Sequence, residues 1–231
     1  MISEQEFLSR VARRLGREEP ERAAPRWAPE RPLPAGAPKD PEALADRFQA
    51  ELEKLSGQVT RVASAAAVAA EAVRILGEAG LQGRVVRWVD PALEGLGLDE
   101  ALLAAGFEVV PFAPGADGAD LVRKAEQAVA GITGCDFAIA ETGTLVLGSS
   151  RLGEASAPGR GRVVSLLPPV HLVVVRKAQI VYSLAEVLRR TAGSPMPSQL
   201  ILASGPSRSS DIENDLSVGV HGPGQVHVIL V

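Results

Sequence analysis

Apolar residues recur along the chain with two spacings, and each spacing predicts a different kind of element. Leu44, Phe48 and Leu52 fall on one face of a helix that follows Asp40, a residue suited to the N-cap. Short β-branched runs such as RVVRWV predict strands. In the first half of the chain, strands and helices alternate at intervals of about 25 residues, which predicts a parallel sheet with crossover helices.

The pattern changes after Gly131, just beyond a helix predicted over Asp120–Ala130. Apolar runs then follow one another with short connections: DFAIA, TLVLGS, RVVSLL, HLVVVR and QIVYS. A parallel crossover needs about a dozen residues or more, so we expect these runs to be strands that are mainly hairpin-connected and antiparallel. Together the two halves predict an α/β fold with a mixed sheet and helices on both faces.

The N-terminal segment differs from the body that follows it. Ser3 and Glu6 have capping-box spacing at the start of a predicted amphipathic helix. A stretch rich in Pro and Ala comes next, and this composition sustains neither a helix nor a central strand. We therefore predict an N-terminal helix and Pro-rich arm over residues 1–39 and an α/β domain over residues 40–231.

Composition and charge narrow the class of protein. A net charge of −4 argues against a duplex nucleic-acid binder, which carries a basic patch. No apolar run approaches the roughly 20 residues that span a bilayer, and the N-terminus lacks the apolar stretch of a signal peptide. We therefore expect a cytoplasmic protein without a membrane span. The one cysteine, Cys135, excludes an all-cysteine metal or cluster site within this chain and is expected to be a small buried residue.

A first polar loop, Glu141-Thr142-Gly143-Thr144, separates two apolar runs. A carboxylate at a strand end can act as a nucleophile or general base, or can orient a ligand hydroxyl, so Glu141 is a candidate catalytic residue. Gly143 permits a close backbone approach, and Thr142 and Thr144 offer hydroxyl groups to a ligand. The alternative is a tight β-turn with a solvated Glu141.

A second polar loop, GPSRSSDIE, follows the apolar run LILAS. Gly205, Ser207, Arg208 and Asp211 are candidate ligand-binding residues, because successive N–H groups beside an arginine can hold a phosphate or a carboxylate. The alternative is a serine that caps a short helical turn. Open α/β sheets bind ligands beyond the carboxyl ends of their strands, so we predict that the two loops converge on one small-anion site.

Two further segments complete the candidate set. His221, flanked by glycine in GVHGP, is a candidate general acid or base, and the alternative is a turn histidine bonded to the backbone. Arg160 and Arg162 border a Gly- and Ala-rich loop, which could close over an acidic ligand or be a solvated hairpin connection. Three isolated histidines without H-x-x-x-H spacing predict no metal site.

Four motifs in this order, IAETGT, SLLPPVH, GPSRSSDIE and GVHGP, resemble the LUD-domain family, and the resemblance extends from Asp40 to the C-terminus. It implies a fold similar to that of the sugar isomerase, CoA-transferase and 5-formyltetrahydrofolate cyclo-ligase group. It also implies a part in the oxidation of L-lactate to pyruvate, beside partner proteins that carry the iron–sulfur clusters. The family provides no established catalytic residues that could be carried over.

These observations lead to two functional expectations. The first is a cluster-free accessory subunit of a lactate-oxidising system, with a pocket for a small organic anion. The alternative is a free-standing enzyme that resembles the CoA-transferase and cyclo-ligase group and acts on a CoA ester, a sugar phosphate or a nucleotide, with Glu141 as its nucleophile. The sequence identifies neither a cofactor nor the ligand.

Overall fold

The computed structural model describes residues 3–17, 36–112, 117–150, 152, 160–195, 197–210, 216–219 and 221–231. Contacts divide the chain into two units, residues 1–35 and 36–231. In the first unit the N-terminal helix is α1 (Glu4–Arg14), and Ser3 Oγ caps it by accepting a hydrogen bond from the amide of Glu6 at 3.2 Å. Most of the Pro-rich arm lies outside the described residues, and the domain boundary at residue 39 stays a prediction.

The second unit alternates helices and strands. Its helices are α2 (Pro41–Lys54), α3 (Val68–Glu78), α4 (Leu98–Ala104), α5 (Gly118–Glu126), α6 (Val163–Leu166) and α7 (Leu184–Thr191). Its strands are β1 (Gln58–Arg61), β2 (Arg84–Trp88), β3 (Glu108–Phe112), β4 (Ala130–Thr133), β5 (Phe137–Ile139), β6 (Thr144–Gly148), β7 (Val170–Val175), β8 (Ile180–Val181), β9 (Leu200–Ala203), β10 (Arg208–Ser210), β11 (Leu216–Val218) and β12 (Gln225–Leu230). Asp40 caps α2 as predicted, because its carboxylate accepts a hydrogen bond from the amide of Ala43 at 3.0 Å. Within the described ranges, none of the helices combines the length and the apolar character needed to cross a membrane.

Six of these strands form a parallel sheet in the order β1-β12-β7-β4-β2-β3. All six residues of β7, near the middle of the sheet, are buried. Successive residues of a strand point to opposite faces, so both faces of the sheet centre are covered. This burial explains why HLVVVR is continuously apolar instead of alternating. The α/β class predicted from the sequence is confirmed.

The direction of the strand connections changes between β2 and β4. From β2 the chain crosses to β3 at one edge of the sheet, whereas from β4 it continues to β7 and β12 on the other side. Adjacent strands whose connections leave in opposite directions open a crevice at their carboxyl ends, and open α/β sheets bind ligands there. We name this place, beyond Trp88 and Thr133, the switch point.

A second sheet has the order β8-β5-β6-β9. β5 and β6 form an antiparallel hairpin, β9 is antiparallel to β6, and β8 is parallel to β5. The end of β5, the start of β6 and the end of β9 therefore lie at one edge of this sheet. Beside these two sheets, β10 and β11 pair as an antiparallel ribbon.

Three local predictions for the second half of the chain were wrong. RVVSLL contains the helix α6 instead of a strand, HLVVVR (β7) is parallel to both its neighbours, and the helix predicted to reach Ala130 ends at Glu126, so that β4 follows it. A short apolar run does not by itself distinguish a buried strand from a buried helix. Packing decides instead: Gly131 in β4 has no side chain, and the Val164 carbonyl of α6 occupies the position that a Cβ would take.

Candidate functional site

The loop Glu141–Thr144 is the turn of the β5–β6 hairpin. The amide of Glu141 donates to the carbonyl of Tyr182 at 2.9 Å, and the Glu141 side chain is exposed. Gly143 has a φ of 62° and lies against the backbone of Leu52 in α2, where a Cβ would clash. Glycine tolerates the left-handed backbone conformation, and its lack of a side chain permits the close approach to Leu52. The hairpin turn is thereby held on the last turn of α2.

The first predicted loop contacts Ser204, the residue directly before the second predicted loop. Thr144 Oγ1 lies 2.7 Å from Ser204 Oγ at the end of β9 and 2.6 Å from Thr142 Oγ1. Gly205 follows with a φ of 88°, and a Cβ at this position would stand 2.9 Å from the carbonyl oxygen of Leu55. Both loops therefore meet on the C-terminal end of α2.

Arg208 also binds to the end of α2. Its Nη2 donates to the carbonyl of Leu55 at 2.7 Å and to Ser56 Oγ at 2.5 Å. A cation is favourable here, because the last carbonyl groups of a helix lack partners and carry a partial negative charge. Arg208 is exposed, and its Nε and Nη1 make no hydrogen bond to the described residues. The side chain thus combines a structural contact with donors that can reach a ligand.

The GVHGP segment adds a third loop at the same place. The amide of Ser207 donates to the carbonyl of Pro223 at 2.8 Å, and Gly222 lies beside the Ser207 side chain. His221 is exposed. These three loops form an assembly that we name the loop cluster: residues 141–144, 204–208 and 221–223.

Arg162 is not part of the loop cluster. Its Nη1 lies 3.3 Å from Gln199 Oε1, just before β9 begins. β6 runs from Thr144 to Gly148, and Gly148 pairs with the first residue of β9. At about 3.3 Å per residue, the two ends of β6 are about 13 Å apart. Arg162 therefore lies near the far edge of the second sheet. Asp211, the other remaining candidate, lies outside the described residues.

A cavity of about 350 Å³ lies at the switch point of the parallel sheet. Ala92 comes after β2, Asp136 comes after β4 and Arg176 comes directly after β7, and all three line this cavity. Its wall is therefore built from the segments beyond the carboxyl ends of three neighbouring strands. We name it the switch-point cavity.

Arg160 forms a buried network with two carboxylates at this cavity. Its Nε donates to Asp90 Oδ2, and its Nη1 donates to Asp136 Oδ1 at 2.8 Å. The guanidinium lies over the indole of Trp88, with 5.0 Å between Cζ and the ring centroid. The side chains of Arg160, Asp90 and Asp136 are 2%, 1% and 6% exposed. Burial opposes the charged form of Arg160, but the carboxylates of Asp136 and Asp90 outweigh it and raise the pKa of Arg160.

Arg176 and Gln179 complete the polar lining of the cavity. Arg176 Nη2 donates to the carbonyl of Ala92 at 3.2 Å, and the Arg176 amide donates to Gln179 Oε1 at 2.8 Å. Gln179 Nε2 in turn donates to the carbonyl of Cys135 at 2.5 Å. Cys135 is 1% exposed, as predicted, and burial raises the pKa of its thiol. A buried thiol with a raised pKa is a poor nucleophile.

The LUD domain family matches residues 45–231, which is most of the chain. This chain belongs to the LUD domain family. A lactate utilization protein C from Halalkalibacterium halodurans is 40% identical over 152 residues, which cover 64% of this chain and 62% of that protein. Another lactate utilization protein C, from Bacillus subtilis, is 33% identical over an alignment of 241 positions that covers 99% of this chain and 96% of that protein. The crystal structure of a DUF162 family protein from Deinococcus radiodurans is similar with a TM-score of 0.56 and 25% identity, over 84% of this chain and 99% of that chain. The resemblance carried by the four motifs is confirmed.

The cavity of this LUD domain was not predicted from the sequence. One signal was present, since Asp90 and Asp136 each follow an apolar strand at the carboxyl end of that strand. Arg160 was assigned to a solvated or ligand-covering loop, yet its side chain is buried. It pairs with carboxylates 70 and 24 positions away in the chain, a relation that no local spacing contains.

Two histidines lie in the parallel sheet. His171 Nε2 lies 2.8 Å from Thr133 Oγ1, and burial lowers the pKa of His171 to about 3. Burial also lowers the pKa of His227, with a smaller contribution from the charge of Arg74. Both imidazoles are therefore neutral near pH 7. Among the described residues, no group of three His, Cys, Asp or Glu side chains could hold a metal ion.

Proposed function

We propose that this protein takes part in lactate utilisation as an accessory component that carries no iron–sulfur cluster of its own. Its family and the names of its relatives support this proposal. One cysteine cannot supply the ligands of a cluster. Electrons from lactate would therefore pass through partner proteins that hold such clusters, and this chain would bind a small organic anion for them.

Two polar loops that meet on the end of α2, with a third that contacts Ser207, support an anion site at the loop cluster. Arg208 supplies an exposed cation whose Nε and Nη1 make no hydrogen bond to the described residues. The Ser207 hydroxyl makes no hydrogen bond to the described residues and can donate to the same ligand group. Glu141 and His221, both exposed, would face the remainder of the ligand, where they can accept or donate a proton.

Growth on lactate tests the proposed role. A strain that lacks this chain is expected to lose growth on L-lactate as the carbon source and to keep growth on pyruvate, because the proposed step lies between these two acids. Complementation with the wild-type chain should restore growth on lactate. Normal growth of the deletion strain on L-lactate would contradict the role.

Assays on purified protein test whether lactate oxidation requires the iron–sulfur partner proteins. The isolated chain is expected not to reduce an electron-accepting dye with lactate, whereas a complex reconstituted with its iron–sulfur partner proteins is expected to do so. Gel filtration should show this chain co-eluting with those partners. Dye reduction by the isolated, cofactor-free chain would contradict the accessory role.

Ligand-induced stabilisation tests the anion site. At 100 times its Kd, lactate or pyruvate should raise the unfolding free energy by about 2.7 kcal/mol, which thermal denaturation detects. Arg208→Gln should weaken this binding by about tenfold, the effect of losing one charge-assisted hydrogen bond. Arg123→Gln, on the exposed face of α5, is the matched control. Equal ligand responses of the two variants would remove Arg208 from the site.

A second candidate function, acyl transfer from a CoA ester, is favoured by the exposure of Glu141. Its carboxylate makes no hydrogen bond or ion pair with the described residues and could attack a thioester carbonyl, displacing the CoA thiolate. The displaced thiolate would release the first acid by forming a glutamyl thioester, from which the CoA group passes to the second acid. Incubation with acyl-CoA and a different free acid should then yield the CoA ester of that second acid with the wild type and not with Glu141→Gln. The accessory role predicts no exchange with either protein.

A further inference from the structure

The switch-point cavity offers a place for a ligand that the loop cluster does not include. It lies beyond the carboxyl ends of β2, β4 and β7, where parallel α/β sheets bind their ligands. Its volume of about 350 Å³ lies within the range of small-molecule sites, about 300–1,000 Å³. A three-carbon acid such as lactate would leave much of this volume to water.

Arg160 presents an unused donor to this cavity. Nε and Nη1 are bonded to Asp90 and Asp136, whereas Nη2 makes no hydrogen bond to the described residues. In the described part of the chain, the fully buried side-chain polar atoms without a partner are Arg84 Nε and Ser183 Oγ. Arg160 Nη2 is not one of them, and Arg160 lines the cavity. The carboxylates thus orient the guanidinium and leave one nitrogen for a ligand.

Arg176 adds a second guanidinium to the same cavity. Among the described residues it forms no ion pair, its side chain bonds only to the carbonyl of Ala92, and its Nε and Nη1 make no hydrogen bond. The arginine fork matches the oxygen atoms of a carboxylate or a phosphate. Two such groups at one cavity, one of them without a carboxylate partner in the described part of the chain, favour an anionic ligand group.

The remaining lining fits a hydroxylated ligand. Asp136 Oδ2 accepts one hydrogen bond, from the amide of Gly148 at 2.8 Å, and a carboxylate oxygen can accept another. Gln179 Oε1 likewise accepts one hydrogen bond, from the amide of Arg176. Both oxygens can therefore accept from a ligand hydroxyl. Phe137 and Leu152 provide an apolar wall for the carbon skeleton.

We propose that the switch-point cavity binds a hydroxylated organic anion larger than lactate, with its carboxylate or phosphate held by Arg160 Nη2 and Arg176 and its hydroxyl groups facing Asp136 and Gln179. This site is separate from the loop cluster and does not depend on the role in lactate utilisation. The shared chemistry of the ligand is an oxyanion next to hydroxyl groups.

Fluorescence of Trp88 reports on this site, because its ring lies under the Arg160 guanidinium. The sequence contains two tryptophans, so Trp27→Phe leaves Trp88 as the single emitter. Gluconate is the carboxylate probe and glycerol 3-phosphate is the phosphate probe. Acetate, inorganic phosphate, lactate and glycerol are the partial probes. At least one hydroxylated anion of the first pair should change Trp88 emission saturably, at concentrations where acetate, inorganic phosphate and glycerol do not.

Substitution of Arg176 distinguishes specific binding in the cavity from a nonspecific change in Trp88 emission. Arg176→Gln should fold, because Arg176 is exposed, and should weaken binding about ten- to a hundredfold through the loss of a charge-assisted hydrogen bond. Arg123→Gln should bind like the wild type. Arg208→Gln should also leave the Trp88 titration unchanged, which distinguishes this site from the loop cluster.

Any one of three results would overturn the proposal. The first is that neither gluconate nor glycerol 3-phosphate changes Trp88 emission saturably. The second is equal affinity for the hydroxylated anions and their partial probes, and the third is an unchanged affinity of Arg176→Gln for the hydroxylated anions. Growth on lactate is scored independently, so a failure here leaves the proposed function standing, and a failure there leaves this site standing.

Discussion

The loop cluster and the switch-point cavity hold their arginines in opposite ways. Arg208 is exposed and bonds to the neutral oxygens of Leu55 and Ser56, whereas Arg160 is buried between the carboxylates of Asp90 and Asp136. Water competes with the first contact, so little stability depends on it. The second network is desolvated, so each member requires the others. An exposed loop contact therefore leaves its donor open to solvent, whereas a buried ion network orients its donor within the fold.

Arg160→Leu is expected to have the largest effect on stability. The substitution removes the buried cation that Asp90 and Asp136 share, which costs about 3–5 kcal/mol of unfolding free energy. Urea unfolding followed by circular dichroism measures the loss. Arg123→Leu, on an exposed helix, is the control and should change stability by less than about 0.5 kcal/mol. A loss below about 1 kcal/mol for Arg160→Leu would contradict the description of a desolvated network.

The pH dependence of the unfolding free energy should report on the buried histidines of the parallel sheet. Folding lowers the pKa of His171 from its ordinary value to about 3, so between about pH 6.5 and 3 the unfolded chain binds a proton there that the folded chain does not. Stability is therefore lost as the pH falls through this window, by roughly 1 kcal/mol per pH unit. His227, whose pKa is also lowered, adds to the same slope.

Denaturant unfolding at several pH values measures this slope, which should be shallower for His171→Gln than for the wild type. Identical slopes for the wild type and His171→Gln would show that His171 is protonated in the folded protein well above pH 3.

Gly143→Ala tests how closely the loop cluster is held on α2. The added Cβ would meet the Leu52 backbone, and the φ of 62° is unfavourable for alanine, so we expect a loss of about 1–3 kcal/mol. Gly95→Ala is the matched control, because Gly95 has a φ of 74° and open space around it. The excess loss of Gly143→Ala over Gly95→Ala in thermal unfolding measures the close approach. No excess would mean that the hairpin turn moves freely away from α2.

Arg208→Leu should have the smallest effect. It removes hydrogen bonds to Leu55 and Ser56 and the favourable charge at the end of α2, at a cost of about 1 kcal/mol or less for an exposed side chain. Urea unfolding of Arg208→Leu and Arg160→Leu under the same conditions compares the two losses of unfolding free energy. A loss for Arg208→Leu as large as that for Arg160→Leu would remove the contrast between the two regions.

Sequence-based prediction succeeded where one short segment contains the whole signal. The caps at Ser3 and Asp40 depend on residues three positions away, and the burial of Cys135 follows from its apolar neighbours. Thr144 of the first predicted loop lies beside Ser204, directly before the second, because the start of β6 and the end of β9 lie at one edge of the second sheet. Their role in binding stays a proposal.

Sequence-based prediction failed where the local structure depends on contacts between segments that are distant in the chain. RVVSLL is a helix because Val164 packs on Gly131 of β4, a contact that the local apolar pattern does not contain. β4 was missed because its four residues continue the apolar pattern of the helix before them. The neighbour of Arg162, Gln199, places Arg162 about the length of β6 away from the loop cluster, and ligand binding by Arg162 stays a prediction.

The sequence by itself determined the α/β class, the caps of α1 and α2 and the presence of polar loops after apolar runs, because these depend on periodicity and on residues close together in the chain. The tertiary structure alone decided that β7 pairs in parallel with β4 and β12, and that Arg160 meets Asp90 and Asp136 at the switch point. The physical reason is that strand order determines which strand ends become neighbours. Strand order depends on the packing of the whole sheet, and no local pattern along the chain encodes it.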